Sequence, residues 1–336
     1  MKRRGHLLSV WAPVLMAGAL LSCGNGGAGR SPGPAQPART LRFHDLINVD
    51  VRDVPLMLAF DELTARGYRI ERTHLASGAL IADALARGSA DLGVVNTQTI
   101  WVAASKGAQI RTVSAFTAPT TVVAARREIA NCRGLQGRRL GVPATKGMSP
   151  SLLSAYLQGE CGGAKPEILV ITESAGRAAA LLAGEVDAVL MPREELQRIE
   201  GDAPRKFHVL LSYSTAFPHI LIDGLHVRRQ WAQDNPGAVE DFLRALVRAH
   251  RRVAADPELL IAESMKRLSL AHAEAKQIVE GHLAGKIWDR DGGLTARKVE
   301  DTLALLTGLG LVPASLRPED VADLAPLQSI LKEPGL

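Results

Sequence analysis

Between Thr40 and Phe116 the chain alternates short apolar runs with stretches whose apolar residues fall three and four apart. Residues 41–47 predict a strand. Residues 54–66 carry a helical stripe that stops at Gly67, a natural helix end. A strand over 68–72 follows, then a helix over 80–87 closed by Gly88. A buried strand over 91–95, a helix over 97–106 closed by Gly107 and a strand over 110–116 complete the first half. The second half repeats the alternation. Strands are predicted over 139–142, 167–172, 187–191 and 206–212, with helices over 149–157, 176–183 and 192–199 between them. From Trp231 onward the pattern is helical, over 239–254, 257–267, 271–283 and 295–309. Strand–helix units of this length place the chain in the α/β class, with mostly parallel sheets flanked by helices.

One segment occurs twice. Residues 84–95 carry Arg87-Gly88 and then Asp91 before the apolar run Leu92-Gly93-Val94-Val95; residues 180–191 carry Ala183-Gly184 and then Asp187 before Ala188-Val189-Leu190-Met191. In both, a helix ends at a glycine able to take the left-handed cap, and an acidic residue opens a strand. Both aspartates are expected at a solvated strand mouth. Two copies at matching places in two sheets predict two related lobes.

The N-terminus has a different character. Lys2, Arg3 and Arg4 precede an apolar stretch over 7–21 that is short for a permanent membrane span and ends in small residues, the layout of an export signal. Leu20-Leu21-Ser22-Cys23-Gly24 resembles the bacterial lipobox, which implies lipid attachment at Cys23. The Gly-, Pro-, Ala- and Ser-rich run that follows lacks the apolar surface to order itself and reads as a tether.

About 300 residues remain, enough for one large or two medium domains. Their chain is 46% hydrophobic and 22% charged overall, the balance of a soluble globular protein. The net charge of +5 is spread out and aromatics total 4%, so no nucleic-acid footprint is present. With Cys23 assigned to lipid, Cys132 and Cys161 form an even pair in an oxidising compartment. That points to a disulfide, with free thiols as the alternative. No metal-binding spacing occurs, and no cofactor is expected.

Three segments in order carry a family likeness: Leu85-Ala86-Arg87-Gly88-Ser89-Ala90-Asp91, then Gly134-Leu135-Gln136-Gly137-Arg138-Arg139-Leu140-Gly141-Val142, then Leu181-Leu182-Ala183-Gly184-Glu185-Val186-Asp187-Ala188. With Asn235-Pro236-Gly237-Ala238-Val239 before a long helix, they resemble the nitrate/sulfonate/taurine-type periplasmic binding proteins of ABC importers, a group that includes binders of thiamine-pyrimidine precursors. The resemblance implies a two-lobed type II periplasmic-binding-protein-like fold. It divides the chain into a signal (1–22), a tether (23–39), lobe one (40–119 and 220–333, with the C-terminal helices), lobe two (126–214) and hinge crossings (120–125 and 215–222). Both crossings look strand-like. The implied function is extracytoplasmic capture of a small organic solute or anion of the sulfonate, nitrate or pyrimidine-like class by hinge closure. The implied partner is an inner-membrane ABC permease. The implied location is the periplasmic side of the cell envelope, with membrane contact through the lipid alone and a monomeric chain. A same-fold enzyme and a ligand-presenting sensory lipoprotein are the alternatives.

In such sheets ligands bind beyond the carboxyl ends of the strands, where helix N-termini point free N–H groups. That rule selects Asn48, Asp50, Ser77, Gly78, Asn96, Thr97, Thr117 and Thr120 in lobe one. In lobe two it selects Thr145, Lys146, Gly147, Ser149, Ser174 and Met191, with Phe217 and His219 on the return crossing. The hydroxyls and amides among them can equally be plain helix caps. Thr145-Lys146-Gly147 is the candidate anion site, and Asp50 and Glu173 could receive an amine. No nucleophile elbow, His-Glu-x-x-His helix or P-loop occurs, which points to binding without turnover.

Overall fold

A computed structural model describes residues 39–46, 49–202 and 205–336. The expected signal, most of the expected tether with Cys23, the expected lipid site, and Asn48 lie outside the described residues. The first unit runs β1 (Arg39–Leu46), α1 (Val54–Ala65), β2 (Tyr68–Leu75), α2 (Gly78–Arg87), β3 (Leu92–Asn96), α3 (Thr97–Ser105) and β4 (Ile110–Thr117). The second runs β5 (Thr121–Arg126), β6 (Arg139–Val142), α4 (Met148–Gly159), β7 (Glu167–Val170), α5 (Ser174–Ala183), β8 (Ala188–Pro192), α6 (Arg193–Asp202) and β9 (Phe207–Ser212). The chain returns through α7 (Tyr213–Ala216) and β10 (Asp223–Arg228). It ends in α8 (Arg229–Asp234), α9 (Pro236–Ala255), α10 (Pro257–Leu268), α11 (His272–Ala284), α12 (Ala296–Gly308), α13 (Pro318–Val321) and α14 (Ala325–Ile330).

Two five-stranded sheets result, in the orders β2-β1-β3-β10-β4 and β7-β6-β8-β5-β9. β1 pairs in parallel with β2 and β3, as β6 does with β7 and β8. The antiparallel member of each sheet is a crossing strand: β10 lies between β3 and β4, and β5 between β8 and β9. This is the two-lobed type II periplasmic-binding-protein-like architecture. The two lobes are topological copies, and each crossing strand fills the same place in its sheet.

The repeated segment explains part of that identity. Asp91 accepts hydrogen bonds from the backbone N–H of Arg42 (3.1 Å) and from its Nε (3.0 Å), while its own N–H donates to the Arg42 carbonyl. In the other lobe Asp187 holds Arg139 the same way, at 2.9 Å to the N–H and 3.4 Å to Nε. The crossing strand joins both clamps, since Arg228 N–H donates to the Asp91 carbonyl and Arg126 N–H to that of Asp187. Gly88 and Gly184 take left-handed φ values of +76° and +81° beside those arginines. A Cβ at Gly184 would meet the Arg126 guanidinium at 2.8 Å. Asp91 does not sit at a solvated strand mouth. It is 2% exposed, because the Arg42 and Arg228 guanidiniums close over it; a buried carboxylate needs such partners.

Lobe one's core centres on Phe43 of β1, Phe60 of α1 and Phe242 of α9, with ring centroids 4.9–5.9 Å apart. In lobe two, α5 and α6 cover one sheet face through Leu181, Leu196 and Ile199. Cys132 and Cys161 are joined, with Cα atoms 5.4 Å apart, and staple the loop before β6 to the end of α4. The edge strand β7 leaves Ile168 and Val170 exposed.

The return crossing differs from expectation. Residues 217–222 are not a strand. Pro218 has no N–H to give to a ladder, and the neighbouring groups bond elsewhere: Leu221 N–H to Thr302 Oγ1, and the Ile222 carbonyl to Thr97 N–H. The strand begins at Asp223 instead. Phe217 packs edge-on against Tyr156 and Tyr213, which makes it part of the apolar bridge between lobes.

Polar contacts on two flanks draw the lobes together. Gln98 Oε1 of lobe one accepts from Met148 N–H of lobe two (2.7 Å), beside which Tyr213 OH donates to the Ser149 carbonyl (2.7 Å). On the other flank α6 meets α11: Gln197 Nε2 donates to the Gln277 carbonyl (3.1 Å), and Gln277 Nε2 to that of Gln197 (2.8 Å). Gly281 allows this approach, since a Cβ there would lie 1.6 Å from Gln197 Nε2. Gly281→Ala is therefore expected to displace Gln197 and loosen α6 from α11 without unfolding the chain. Faster amide hydrogen exchange in those two helices, with no change in Gly237→Ala, is the measurement that checks it.

A buried relay ties β10 into lobe one. Trp101 Nε1–H donates to Thr112 Oγ1, whose hydroxyl faces His226 Nδ1 (3.0 Å), and His226 Nε2 faces the Val95 carbonyl (3.0 Å). The chain is complete with a neutral ring, and burial pushes the His226 pKa down to about 4. The native state thus binds fewer protons than the unfolded one between pH 6.5 and 4. Its contribution is whole above pH 6.5 and is lost as the pH falls towards 4. The loss approaches about 3 kcal/mol for the one ring. Urea unfolding of the wild type and of His226→Gln across that range should differ by this decline, with the variant losing less stability on acidification.

Candidate functional site

The strand-end rule selects loops that the fold brings to one seam, though several chosen side chains have other work. Asp50 caps the turn over Val51–Asp53 by accepting from Arg52 N–H (2.8 Å). Asn96 caps α3, and Asp223 stands opposite both Asn96 and Thr117 in the ladder. Thr97 is buried with its hydroxyl unpartnered. The Thr120 carbonyl accepts from Arg193 N–H, which ties the first crossing to the start of α6. Gly147 and Ser149 lie at the Gln98 and Tyr213 contacts.

Other positions are placed apart from these. Ser77 is an exposed cap of α2, and Gly78 lets α2 approach β3, where a Cβ would meet Val95 at 2.5 Å. Thr145 and Lys146 are exposed, and Thr145 lines a groove between α4 and β7 on the outer flank of lobe two. Ser174 starts α5 with its Oγ buried and unpartnered. Met191 is 1% exposed in the core of lobe two, against α5 and α6. His219 is exposed.

Apart from Asp50, the charged residues at the seam are ones the rule does not select. Arg52 contacts Asp50 at 3.3 Å and Asp223 at 3.7 Å. Burial works against its charge, but Asp50, Asp223, Asp53 and Glu194 outweigh that and raise its pKa. Burial pushes Asp53 up to about 7, helped by the charge on Asp50. Glu194, in the first turn of α6, is likewise pushed up to about 7 by burial and by Asp50. His282 of α11 lies 3.6 Å from it and is held down near 4, chiefly by burial. The His282 ring meets Trp288 edge-on, and Trp288 Nε1–H donates to the Arg52 carbonyl.

Two cavities flank this cluster. One, of about 330 Å3, crosses the seam and is lined by Arg193, Ser212, Ser214 and Thr215 from lobe two and by Lys286 from the end of α11. Arg193 donates to Ser212 Oγ (3.1 Å), which pairs with Ser214 Oγ (2.9 Å). Among the described residues, no acidic one lines this cavity. Lys286 takes a left-handed φ of +48°, rare for a residue with a side chain. The other cavity, of about 640 Å3, shares Ala118 and Lys286 and adds Thr117, His282, Arg290 and Lys298. Arg193 directly follows the Met191-Pro192 loop chosen by the strand-end rule. His282 and Lys286 carry no local signal, because a long helical tail folds back to deliver them.

The fold is shared with solved structures. The periplasmic aliphatic sulphonate binding protein SsuA of Escherichia coli is 18% identical with a TM-score of 0.67, covering 84% of this chain and 97% of its own. A ligand-binding component of an ABC-type import system from Staphylococcus aureus, solved with zinc bound, gives 14% and 0.67, covering 87% and 99%. The periplasmic nitrate-binding protein NrtA of Synechocystis PCC 6803 gives 12% and 0.64, covering 89% and 90%. All three are described as binding proteins or import components, and none as a catalyst. No curated protein sequence matches the chain. The NMT1/THI5 like family profile matches residues 73–259, more than half of the sequence and in keeping with the likeness its motifs carry. The chain belongs to the NMT1/THI5 like family.

Proposed function

We propose that this chain is the extracytoplasmic solute-binding component of an ABC importer, tethered to the membrane by lipid on Cys23, and that it binds without catalysis. Two copies of one lobe, joined by two crossings and meeting at a polar seam, are built to open and close on a small molecule. The similar structures named for sulphonate and nitrate binding and for import support the same reading. The solute is a small anion or anionic organic molecule of the sulfonate, nitrate or carboxylate kind. The observation that carries this class is the seam cavity, where Arg193 and Lys286 from opposite sides face hydroxyls and no carboxylate. A guanidinium and an ammonium converging with hydroxyl donors suit an oxyanion head. We assign the anion head to the start of α6 and the end of α11, as an alternative to the Thr145-Lys146 loop expected from the sequence.

A matching solute at about a hundred times its Kd should stabilise the protein by about 2.7 kcal/mol. Thermal unfolding against a panel of sulfonates, nitrate and carboxylates, with mass spectrometry of co-purified ligand, measures this. Lys286→Ala should abolish the shift while keeping the fold; an unchanged shift would remove the seam cavity from the site. Separately, Cys23→Ala should release the protein from membranes into the soluble envelope fraction, and continued membrane retention would defeat the lipid anchor.

A further inference from the structure

We propose that Asp50, Glu194 and His282 form a divalent-cation site of the first-row, zinc-like kind, which spans the lobe seam. The inference concerns different side chains from the anion cavity and does not depend on the transport reading. One ligand atom from each of the three residues lies within 4.8 Å of the others, and His282 Nε2 is 3.6 Å from Glu194 Oε1. The three come from separate places: the loop after β1, the first turn of α6 and the last turn of α11.

The second observation is what these groups lack. Glu194 is 6% exposed and His282 0%. Among the described residues, neither carboxylate oxygen of Glu194 and neither ring nitrogen of His282 has a hydrogen-bond partner. Buried polar atoms are ordinarily paired, and an orphaned carboxylate beside an orphaned imidazole is costly. A cation between them satisfies both at once. The wider charge agrees, since Asp50, Asp53, Asp223 and Glu194 surround the single guanidinium of Arg52. One imidazole nitrogen with two carboxylates matches zinc and its first-row neighbours better than calcium or magnesium, which favour all-oxygen shells.

The cation joins two structural bodies. Asp50 belongs to lobe one. His282 rides on α11, which packs with α10 against Val51 and Val54 beside that lobe. Glu194 belongs to lobe two, one residue after Arg193 of the anion cavity. A bound ion therefore links the lobes, next to the anion cavity.

The test uses the full chain, stripped with EDTA and titrated with zinc chloride. Calorimetry and elemental analysis should find about one equivalent bound, with a rise in Tm. Glu194→Gln and His282→Gln should each weaken binding about tenfold or more, while His272→Gln, an exposed control, leaves it unchanged. Zinc-edge X-ray absorption of the loaded protein should report one imidazole among oxygen ligands, and it keeps the question open to measurement should either variant misfold. Failure to retain zinc, wild-type affinity in both variants, or an absorption spectrum without imidazole would overturn the site. Lys286→Ala should keep zinc binding whatever it does to the solute, so the two readings fail separately.

Discussion

Every strand in a sheet needs a neighbour for its backbone groups, and in each lobe one neighbour arrives from a distant part of the chain. β3 and β4 are bridged only by β10, and β8 and β9 only by β5. Neither sheet closes its ladder until the chain has crossed over. The crossings are therefore structural members of both lobes as well as hinges. The Asp–Arg clamps fasten them in place, because Arg228 and Arg126 bond the carbonyls of Asp91 and Asp187 at equivalent points. With the strands held this way, the loops at their carboxyl ends are fixed on facing sides of one seam.

Much of this is legible before any coordinates are known. The switch between period-two and helical spacing marks most elements of both lobes, and the Gly–Asp echo at 88–91 and 184–187 foretells the duplication. The pairing of β5 and β10 is not legible, because antiparallel insertion leaves no mark in local periodicity. Asp91 reads as a solvated residue, since nothing nearby in sequence announces that Arg42 and Arg228 will cover it. The run before Asp223 looks apolar enough for a strand, but Pro218 and contacts to α3 and α12 take up its backbone bonds.

The seam is harder still. A rule about strand ends selects capping side chains, whose oxygens are spent on their own helices, as with Asn96 and Gln98 N–H. The residues that gather charge lie one or two positions along, as Arg52 and Arg193 do, or far downstream, as His282 and Lys286 do. Arg193 and Lys286 face the smaller cavity, while Asp50 and Glu194, the residue after Arg193 on α6, turn to the cluster around Arg52. That separation of charge gives one interface two different chemistries.

The uncovered face of β7 has a practical consequence. Ile168 and Val170 stand on a sheet margin with no neighbour beyond it, and such margins are where crowded copies of a protein first stick together. Lys165, Pro166 and Glu167 stand at the near end of that margin, the residue types that discourage edge-to-edge growth. Substitutions among these three residues, which lie away from the seam, would therefore bear on how copies of the protein associate before they bear on the seam.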